Sequence, residues 1–223
     1  MIKLTDFSAV IFDMDGLVLD TESTYCIAWQ KAARSMGYEF TTEFCLSFSG
    51  LHYSDVELKL IDYCGTDFNL QTFNSLSGDC WRDHVYVHGI TIKSGFFDLL
   101  KLLIKHNIPH CLATNSGSKN ALECLELAGI KEVFSLILTR DDVQNGKPEP
   151  DIFIKSAELL KVDINKCLVL EDSHAGIVAA TNAGAFAVLI PSTETVDPAT
   201  VNLCNLMVSD LTQLTDVLLQ SLN

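Results

Sequence analysis

Ala9-Val10-Ile11-Phe12-Asp13-Met14-Asp15-Gly16 is a short apolar run that ends in two acids and a glycine. Its β-branched and aromatic residues predict a strand that is buried on both faces. Successive strand residues alternate faces, so Asp13 and Asp15 would point the same way if the strand continued. Two carboxylates held that close repel each other unless a cation or a shared proton lies between them. The alternative is a strand followed by a polar turn in which the acids serve only as turn residues.

The composition limits the kinds of partner that the chain can have. It has 223 residues, of which 48% are hydrophobic, so a sizeable core can be buried. A net charge of −14 predicts that neither a nucleic acid nor an anionic membrane surface is the partner. We see no signal peptide and no apolar segment that is long enough to span a bilayer. Eight cysteines without a C-x-x-C pair predict free thiols and a cytoplasmic location.

The periodicity of apolar residues changes twice along the chain. Helical periodicity runs from about Glu22 to Met36, from Ser54 to Tyr63 and from Leu70 to His88, and no buried strand is predicted among these residues. Helix and strand patterns alternate after that. We therefore predict a core domain built from residues 1–18 and 90–223, and a helical cap built from residues 19–89.

The alternation in the second part predicts a parallel sheet with helices on both faces. The fold class is therefore α/β, a doubly wound, Rossmann-like parallel sheet with an inserted helical cap subdomain. Residues 192–200 are predicted to be an irregular loop. The remaining strands are predicted at Ile108–Ala113, Val133–Leu138, Cys167–Leu170, Phe186–Ile190 and near Leu206.

Polar side chains follow several of these strands, where ligands bind in open parallel sheets. Besides the first two acids, these residues are Thr114, Lys147, Glu171 and Asp172. Together they supply a carboxylate nucleophile, a second acid for proton transfer, a hydroxyl, one cation and ligands for a hard divalent metal. This set is typical of phosphoryl transfer, in which positioning and charge neutralisation dominate catalysis.

Each of these residues also has a purely structural interpretation. Thr114 is a plausible N-cap for the helix predicted to begin at 119. Lys147 precedes a proline and fits a solvated loop charge. Glu171 and Asp172 precede a helix and fit capping acids that interact with its dipole.

The motifs in this order resemble the haloacid dehalogenase superfamily of phosphohydrolases. The matching segments are Asp13-Met14-Asp15-Gly16, Ala113-Thr114-Asn115-Ser116, the run from Gly146 to Phe153, and Leu170-Glu171-Asp172-Ser173 with Ala175-Gly176-Ile177. The helical insert resembles the cap of the β-phosphoglucomutase-like subgroup, and the motif segments also resemble pseudouridine 5′-phosphatase-like proteins.

The resemblance implies the chemical roles of the acids. Asp13 would attack phosphorus and form an aspartyl-phosphate. Asp15 would protonate the departing alkoxide and later deprotonate the attacking water. Magnesium would be held by the Asp13 side chain, the Asp15 backbone carbonyl and Asp172. Glu171 would contact the ion through a water molecule or a neighbouring ligand.

The resemblance also implies which groups bind the substrate. Lys147 would neutralise Asp13 and the phosphoryl group, and the Thr114 hydroxyl would donate to that group together with backbone N–H groups near Asn115 and Met14. In related mutases an arginine after the glycine of the cap binds a second phosphate. This chain has Gly50-Leu51-His52-Tyr53 there, with Tyr53 at the arginine position and His52 as a weak substitute.

We therefore expect a magnesium-dependent phosphatase that acts on a small phosphate ester, namely a sugar, polyol or nucleoside monophosphate. The cap would set substrate choice, and the chain would be a monomer or a weak dimer. The second acid argues against dehalogenation, because a departing halide needs no proton. The alternatives are a phosphosugar mutase and a non-catalytic binding module of the same fold.

Overall fold

The computed structural model describes residues 2–48, 53–193 and 196–220, with residues 53 and 54 as backbone only. These residues belong to two compact units. The core unit consists of residues 1–19 and 91–223, and the inserted unit consists of residues 20–90. Within the described ranges, no helix combines the length and the apolar character that crossing a bilayer requires.

The core unit is built on a six-stranded parallel sheet with the order β3-β2-β1-β4-β5-β6. The strands are β1 (Ala9–Phe12), β2 (His110–Ala113), β3 (Ile137–Leu138), β4 (Cys167–Glu171), β5 (Phe186–Leu189) and β6 (Leu206–Met207). The strand order reverses direction beside β1, so the crevice beyond its carboxyl end is where such sheets bind ligands.

Ten α-helices lie among the described residues. They are α1 (Thr21–Ser35), α2 (Thr42–Leu46), α3 (Tyr53–Cys64), α4 (Leu70–His88), α5 (Phe96–Lys105), α6 (Ser118–Leu127), α7 (Asp151–Leu160), α8 (His174–Ala183), α9 (Pro198–Leu203) and α10 (Leu211–Gln220).

Both faces of the sheet are covered by helices. On one face Ile11 packs in a cluster with Phe153 of α7 and Ile177 of α8. The neighbouring residue Phe12 points to the other face, where its ring lies 5.8 Å from that of Phe96 in α5. Helix α10 packs against α5. Every side chain of β1 is buried, as the apolar run predicts, and the doubly wound α/β fold is confirmed.

The described residues of the inserted unit form four helices and no strand. Side-chain caps begin three of them, at Asp20, Thr41 and Asn69. Its interior is aromatic: the Tyr25 ring stacks against both Trp29 and Trp81, with centroids 5.9 and 5.5 Å apart. Trp81 of α4 therefore packs against α1, and the Trp29 ring of α1 lies 5.1 Å from the ring of Phe48, which follows α2.

Three predictions about secondary structure were incomplete or wrong. Helix α2 was not foreseen, because five residues are too few for a clear helical period. The strand predicted at Val133–Leu138 is only Ile137–Leu138, because the chain is still turning at Val133 and Phe134 packs on Phe12. The loop predicted at 192–200 gives way to α9, which Asp197 caps and which has proline in its first turn.

All eight cysteines are free, as predicted. Several lie buried in the strands and helices of the two units, where they act as small apolar residues.

Candidate active site

The loop after β1 places Asp13 at the middle of the sheet edge. The Asp13 N–H donates to the Leu170 carbonyl of β4 at 3.0 Å, so this acid still follows the register of the sheet. The turn continues at Gly16, whose φ of +81° suits glycine. A Cβ there would lie 2.1 Å from Asp172 Oδ2, so only glycine allows the loop to pass so close to the Asp172 carboxylate.

Lys147 reaches Asp13 from a loop that is 134 residues away in the sequence. Its Nζ donates to Asp13 Oδ1 at 2.5 Å, to Glu171 Oε1 at 2.6 Å and to the Ala113 carbonyl at 2.9 Å. The ammonium also lies 5.0 Å from the centroid of the Phe153 ring. The side chain is only 3% exposed, so the interpretation of Lys147 as a solvated loop charge is wrong.

Burial and the neighbouring charges both shift the pKa values of Lys147 and Asp13. Burial opposes the charge of Lys147, but Asp13 and Glu171 outweigh that effect and raise the pKa of the ammonium. The pKa of Asp13 is raised well above its usual range, first by burial and then by Glu171, although Lys147 lowers it. Asp172 and Asp15 raise it further. The site therefore has more carboxylate charge than one ammonium can neutralise.

Glu171 is fully buried at the end of β4, and both of its oxygens are engaged. Oε1 accepts the bond from Lys147, and Oε2 accepts from the Ser173 hydroxyl at 3.1 Å. Gly176 makes room for this carboxylate, because a Cβ there would lie 1.8 Å from Glu171 Cδ. The N-cap of α8 is Ser173, so the structure does not support capping as the role of the two acids.

Three acids form a group that fits a metal ion. Oxygen atoms of Asp13, Glu171 and Asp172 all lie within 4.8 Å of one another. An all-oxygen donor set is what hard divalent cations such as Mg²⁺ prefer. The excess of buried negative charge fits such a cation as well.

Asp15 is held by two hydroxyl groups that follow β2. Its Oδ2 accepts from Thr114 Oγ1 at 3.1 Å and from Ser116 Oγ at 2.8 Å. The Ser116 N–H in turn donates to Thr114 Oγ1 at 2.9 Å. The N-cap of α6 is Gly117, so Thr114 does not cap that helix. Its binding to a phosphoryl group stays a prediction.

The side chain of Asn115 binds the loop that carries the lysine. Asn115 Oδ1 accepts from the Lys147 N–H at 2.8 Å, and Asn115 Nδ2 donates to the Lys147 carbonyl at 3.0 Å. Gly146 lies against this pair, where a Cβ would approach Asn115 Oδ1 to 2.6 Å. The Met14 side chain is fully buried, and its carbonyl accepts the N–H groups of Val18 and Leu19 in the turn.

Seven of the predicted residues thus lie in two neighbouring groups at the carboxyl ends of β1, β2 and β4, one around Lys147 and one around Asp15, and Met14 lies in the same loop as Asp13. They are Asp13, Asp15, Thr114, Asn115, Lys147, Glu171 and Asp172. Of the two predicted cap residues, His52 lies outside the described residues, and Tyr53 is described only as the first backbone residue of α3.

Sequence reasoning assigned no role to several residues that shape this site. Ser116 and Ser173 bind Asp15 and Glu171, and Gly176 leaves space for the Glu171 carboxylate. A serine before a helix is a typical N-cap, and the Ser173 hydroxyl does accept the Gly176 N–H at 3.1 Å. That pattern indicates the cap but not the contact of Ser173 with Glu171. The direction of the Ser116 hydroxyl has no local signal.

Two buried acids, a buried ammonium and a third carboxylate close by, at the edge of a parallel sheet, are typical of an enzyme active site. The comparison with known proteins gives the family. Residues 10–190 match the family described as haloacid dehalogenase-like hydrolase, and the chain belongs to that family. The predicted family and enzyme class are confirmed.

Several known proteins are similar to this chain over most of its length. The chain is 31% identical to a phosphorylated carbohydrates phosphatase of Thermotoga maritima, over 79% of this chain and 81% of that protein. It is also 31% identical to a beta-phosphoglucomutase of Bacillus subtilis, over 81% of each. A solved HAD family hydrolase from Deinococcus radiodurans with bound phosphate and sodium is 25% identical, covers 97% of this chain and 96% of its own, and has a TM-score of 0.81.

Proposed function

We propose that this chain is a magnesium-dependent phosphatase that hydrolyses the phosphate monoester of a small metabolite through an aspartyl-phosphate. The observation that carries the proposal is the buried contact between Lys147 and Asp13 beside Glu171. The names of the Thermotoga maritima phosphatase and the Bacillus subtilis mutase support a sugar phosphate as substrate. The polyol and nucleoside monophosphates that the family resemblance implies are the other candidate substrates.

Asp13 is the proposed nucleophile. Lys147 binds its Oδ1, which orients the carboxylate and favours its ionised form against the effect of burial. The same ammonium provides positive charge next to the incoming phosphoryl group. Asn115 supports this arrangement because it fixes the backbone of Lys147 on both sides.

The metal would be held by Asp13 and Asp172, together with the Asp15 backbone carbonyl that the family resemblance implies. When bound, magnesium would supply positive charge to the phosphoryl oxygens. Both Glu171 oxygens already accept hydrogen bonds from Lys147 and Ser173. This supports a role for Glu171 in which it holds the lysine and contacts the ion indirectly.

Asp15 is the proposed acid and base. A departing alkoxide needs a proton, and a carboxyl group two residues after the nucleophile is well placed to provide it. The Asp15 carboxylate accepts hydrogen bonds from Thr114 and Ser116, which limits its rotation. A phosphate ester is therefore a better substrate for this site than a halide.

A phosphosugar mutase is the second candidate, because the chain is as identical to the Bacillus subtilis beta-phosphoglucomutase as to the phosphatase. The two functions differ in their products. A mutase would give an isomerised sugar phosphate that depends on added bisphosphate, whereas a phosphatase would release free phosphate. The segment Gly50-Leu51-His52-Tyr53 lacks the arginine that would bind a second phosphate, which favours the phosphatase.

The test is a screen of sugar, polyol and nucleoside monophosphates with magnesium, scored for free phosphate and for isomers. We expect free phosphate as the main product. Asp13→Asn should reduce turnover to below about 1% of the wild-type value, because an amide does not attack phosphorus. Asp163→Asn, which removes an exposed carboxylate elsewhere in the core unit, is the matched control. More than a few per cent of activity in Asp13→Asn would refute the assignment of the nucleophile.

A further inference from the structure

The two oxygens of Asp15 have different surroundings. Oδ2 accepts hydrogen bonds from the hydroxyls of Thr114 and Ser116. Oδ1 is buried and accepts no hydrogen bond from any of the described residues. A carboxylate oxygen offers two lone pairs for hydrogen bonds, so Oδ2 is saturated while Oδ1 is not.

The direction of each hydroxyl hydrogen follows from the contacts. Thr114 Oγ1 accepts the Ser116 N–H at 2.9 Å, so its own hydrogen is available to donate to Asp15. The Ser116 hydroxyl lies 2.8 Å from the same oxygen, which accepts because it belongs to a carboxylate. Ser116 thus contributes twice to the hold on Asp15, through its backbone and through its side chain. Donors linked in this way strengthen one another.

We propose that Ser116 is a positioning residue that binds Asp15 through Oδ2 and leaves Oδ1 as the atom that carries the proton in catalysis. This inference rests on the proposed function, because it concerns the acid and base of the same site. Ser116 itself need not touch the substrate. It acts through the orientation of the carboxyl group.

The two chemical steps balance with Oδ1 as the proton carrier. In the first step an oxygen of Asp13 bonds to phosphorus, the bond from phosphorus to the ester oxygen breaks, and the proton of Asp15 Oδ1 moves to that oxygen. In the second step a water oxygen bonds to phosphorus, the bond to Asp13 breaks, and a proton of the water moves to Asp15 Oδ1. The hydrogen bond from the Ser116 hydroxyl to Oδ2 persists through both steps.

The leaving group provides a test that a merely structural role would not affect. The leaving group of p-nitrophenyl phosphate is stable as an anion and gains little from an acid. The leaving groups of phenyl phosphate and glycerol phosphate are stronger bases and need the proton. A loosened Asp15 should therefore slow the second kind of ester more than the first.

The experiment compares kcat/KM for these three esters in the wild type and in Ser116→Ala. General acid catalysis contributes about 10²- to 10⁴-fold, so we expect a loss of about 10- to 100-fold on phenyl and glycerol phosphate. The loss on p-nitrophenyl phosphate should stay below about three-fold, since little of that general-acid contribution applies there. Ser116→Thr, which keeps the hydroxyl, should restore most of the difference.

Ser118→Ala is the matched control. Ser118 begins α6, two residues after Ser116, and its hydroxyl lies 2.7 Å from Thr139 Oγ1 rather than against Asp15. We expect it to change all three rates by the same factor. The ratio of two rates does not depend on how much of a variant is folded, so a less stable Ser116→Ala still gives a valid result.

Equal losses on all esters in Ser116→Ala, or no loss at all, would overturn this inference and leave the proposed function intact. A wild-type protein that hydrolyses none of the three esters, nor any in the wider screen, would instead refute the proposed function. Asp15→Asn serves as the reference for complete loss of the acid. It gives the largest change that we expect in the ratio of kcat/KM between p-nitrophenyl phosphate and the other two esters.

Discussion

Gly176→Ala tests the packing around Glu171, on which the position of Lys147 depends. The new Cβ would lie 1.8 Å from Glu171 Cδ and 2.0 Å from both carboxylate oxygens. Glu171 is fully buried and both of its oxygens accept hydrogen bonds, so a shift of the carboxylate breaks those bonds. We expect the substitution to push the carboxylate away from both Lys147 and Ser173.

The magnitude follows from the bonds that are lost. Hydrogen bonds to charged groups contribute about 1.5–3 kcal/mol each, and two such bonds would break. Alanine is the better helix former by about 1 kcal/mol, which offsets part of the loss. The free energy of unfolding should therefore fall by about 2–5 kcal/mol. For a chain of this length, that lowers Tm by about 4–20 °C.

The assay is thermal and urea unfolding, with kcat measured on the same samples. Gly78→Ala is the matched control, because Gly78 also lies in a helix but a Cβ there meets only the Arg82 guanidinium at 3.7 Å. That variant should be more stable than the wild type by about 0.5–1 kcal/mol. Gly176→Ala should also lose activity, since Lys147 loses one of its two carboxylate partners.

A Tm of Gly176→Ala within about 2 °C of the wild type would refute this reasoning, because the expected loss of free energy would then be absent. Such a result would mean that Glu171 can move without breaking its bonds.

Further predictions concern the ammonium, the loop after β1 and the metal. Lys147→Met should lower the free energy of unfolding by about 3–5 kcal/mol, because it leaves buried carboxylates without their partner; adding Glu171→Gln should recover part of that loss in a double-mutant cycle of urea unfolding, and strict additivity would contradict the pairing. Gly16→Ala should raise the magnesium concentration needed for half-maximal activity, because its Cβ would meet Asp172 Oδ2; Gly37→Ala has the same sign of φ with no atom within 4 Å and should leave that concentration unchanged. Removal of divalent cations with a chelator should abolish phosphate release and lower Tm, and magnesium should restore both, whereas full activity in the chelator would argue against a metal-dependent reaction.

Several elements of the fold were predictable because their signals are local. The boundaries of α4 and α7 are set by helical periodicity together with residues such as Asn69 and Gly89 at the ends. The strand β1 followed from its β-branched run. The strand predicted to begin at Val133 was wrong for a tertiary reason: the apolar Phe134 packs its ring against Phe12 and does not pair in the sheet.

The candidate site also has features that were predictable from local signals and features that were not. The residue types and their places after strands follow from the sequence, because side chains at the carboxyl ends of parallel strands meet at one edge. The sequence could not show that the Lys147 side chain is buried, since its burial depends on Asp13 and Glu171, which are 134 and 24 residues away. It also could not show that Asn115 and Ser116 act on different partners.

Except for α2 and α9, the sequence by itself therefore determined the succession of helices and strands along the chain, the chemical groups available and the edge of the sheet that they share, because these depend on periodicity and on the geometry of parallel strands. Only the tertiary structure decided which oxygen each donor binds. Lys147 is bound to Asp13 and Glu171, and Ser116 is bound to Asp15. The physical reason is that a hydrogen bond depends on distances of a few tenths of an ångström between loops, and packing sets those distances.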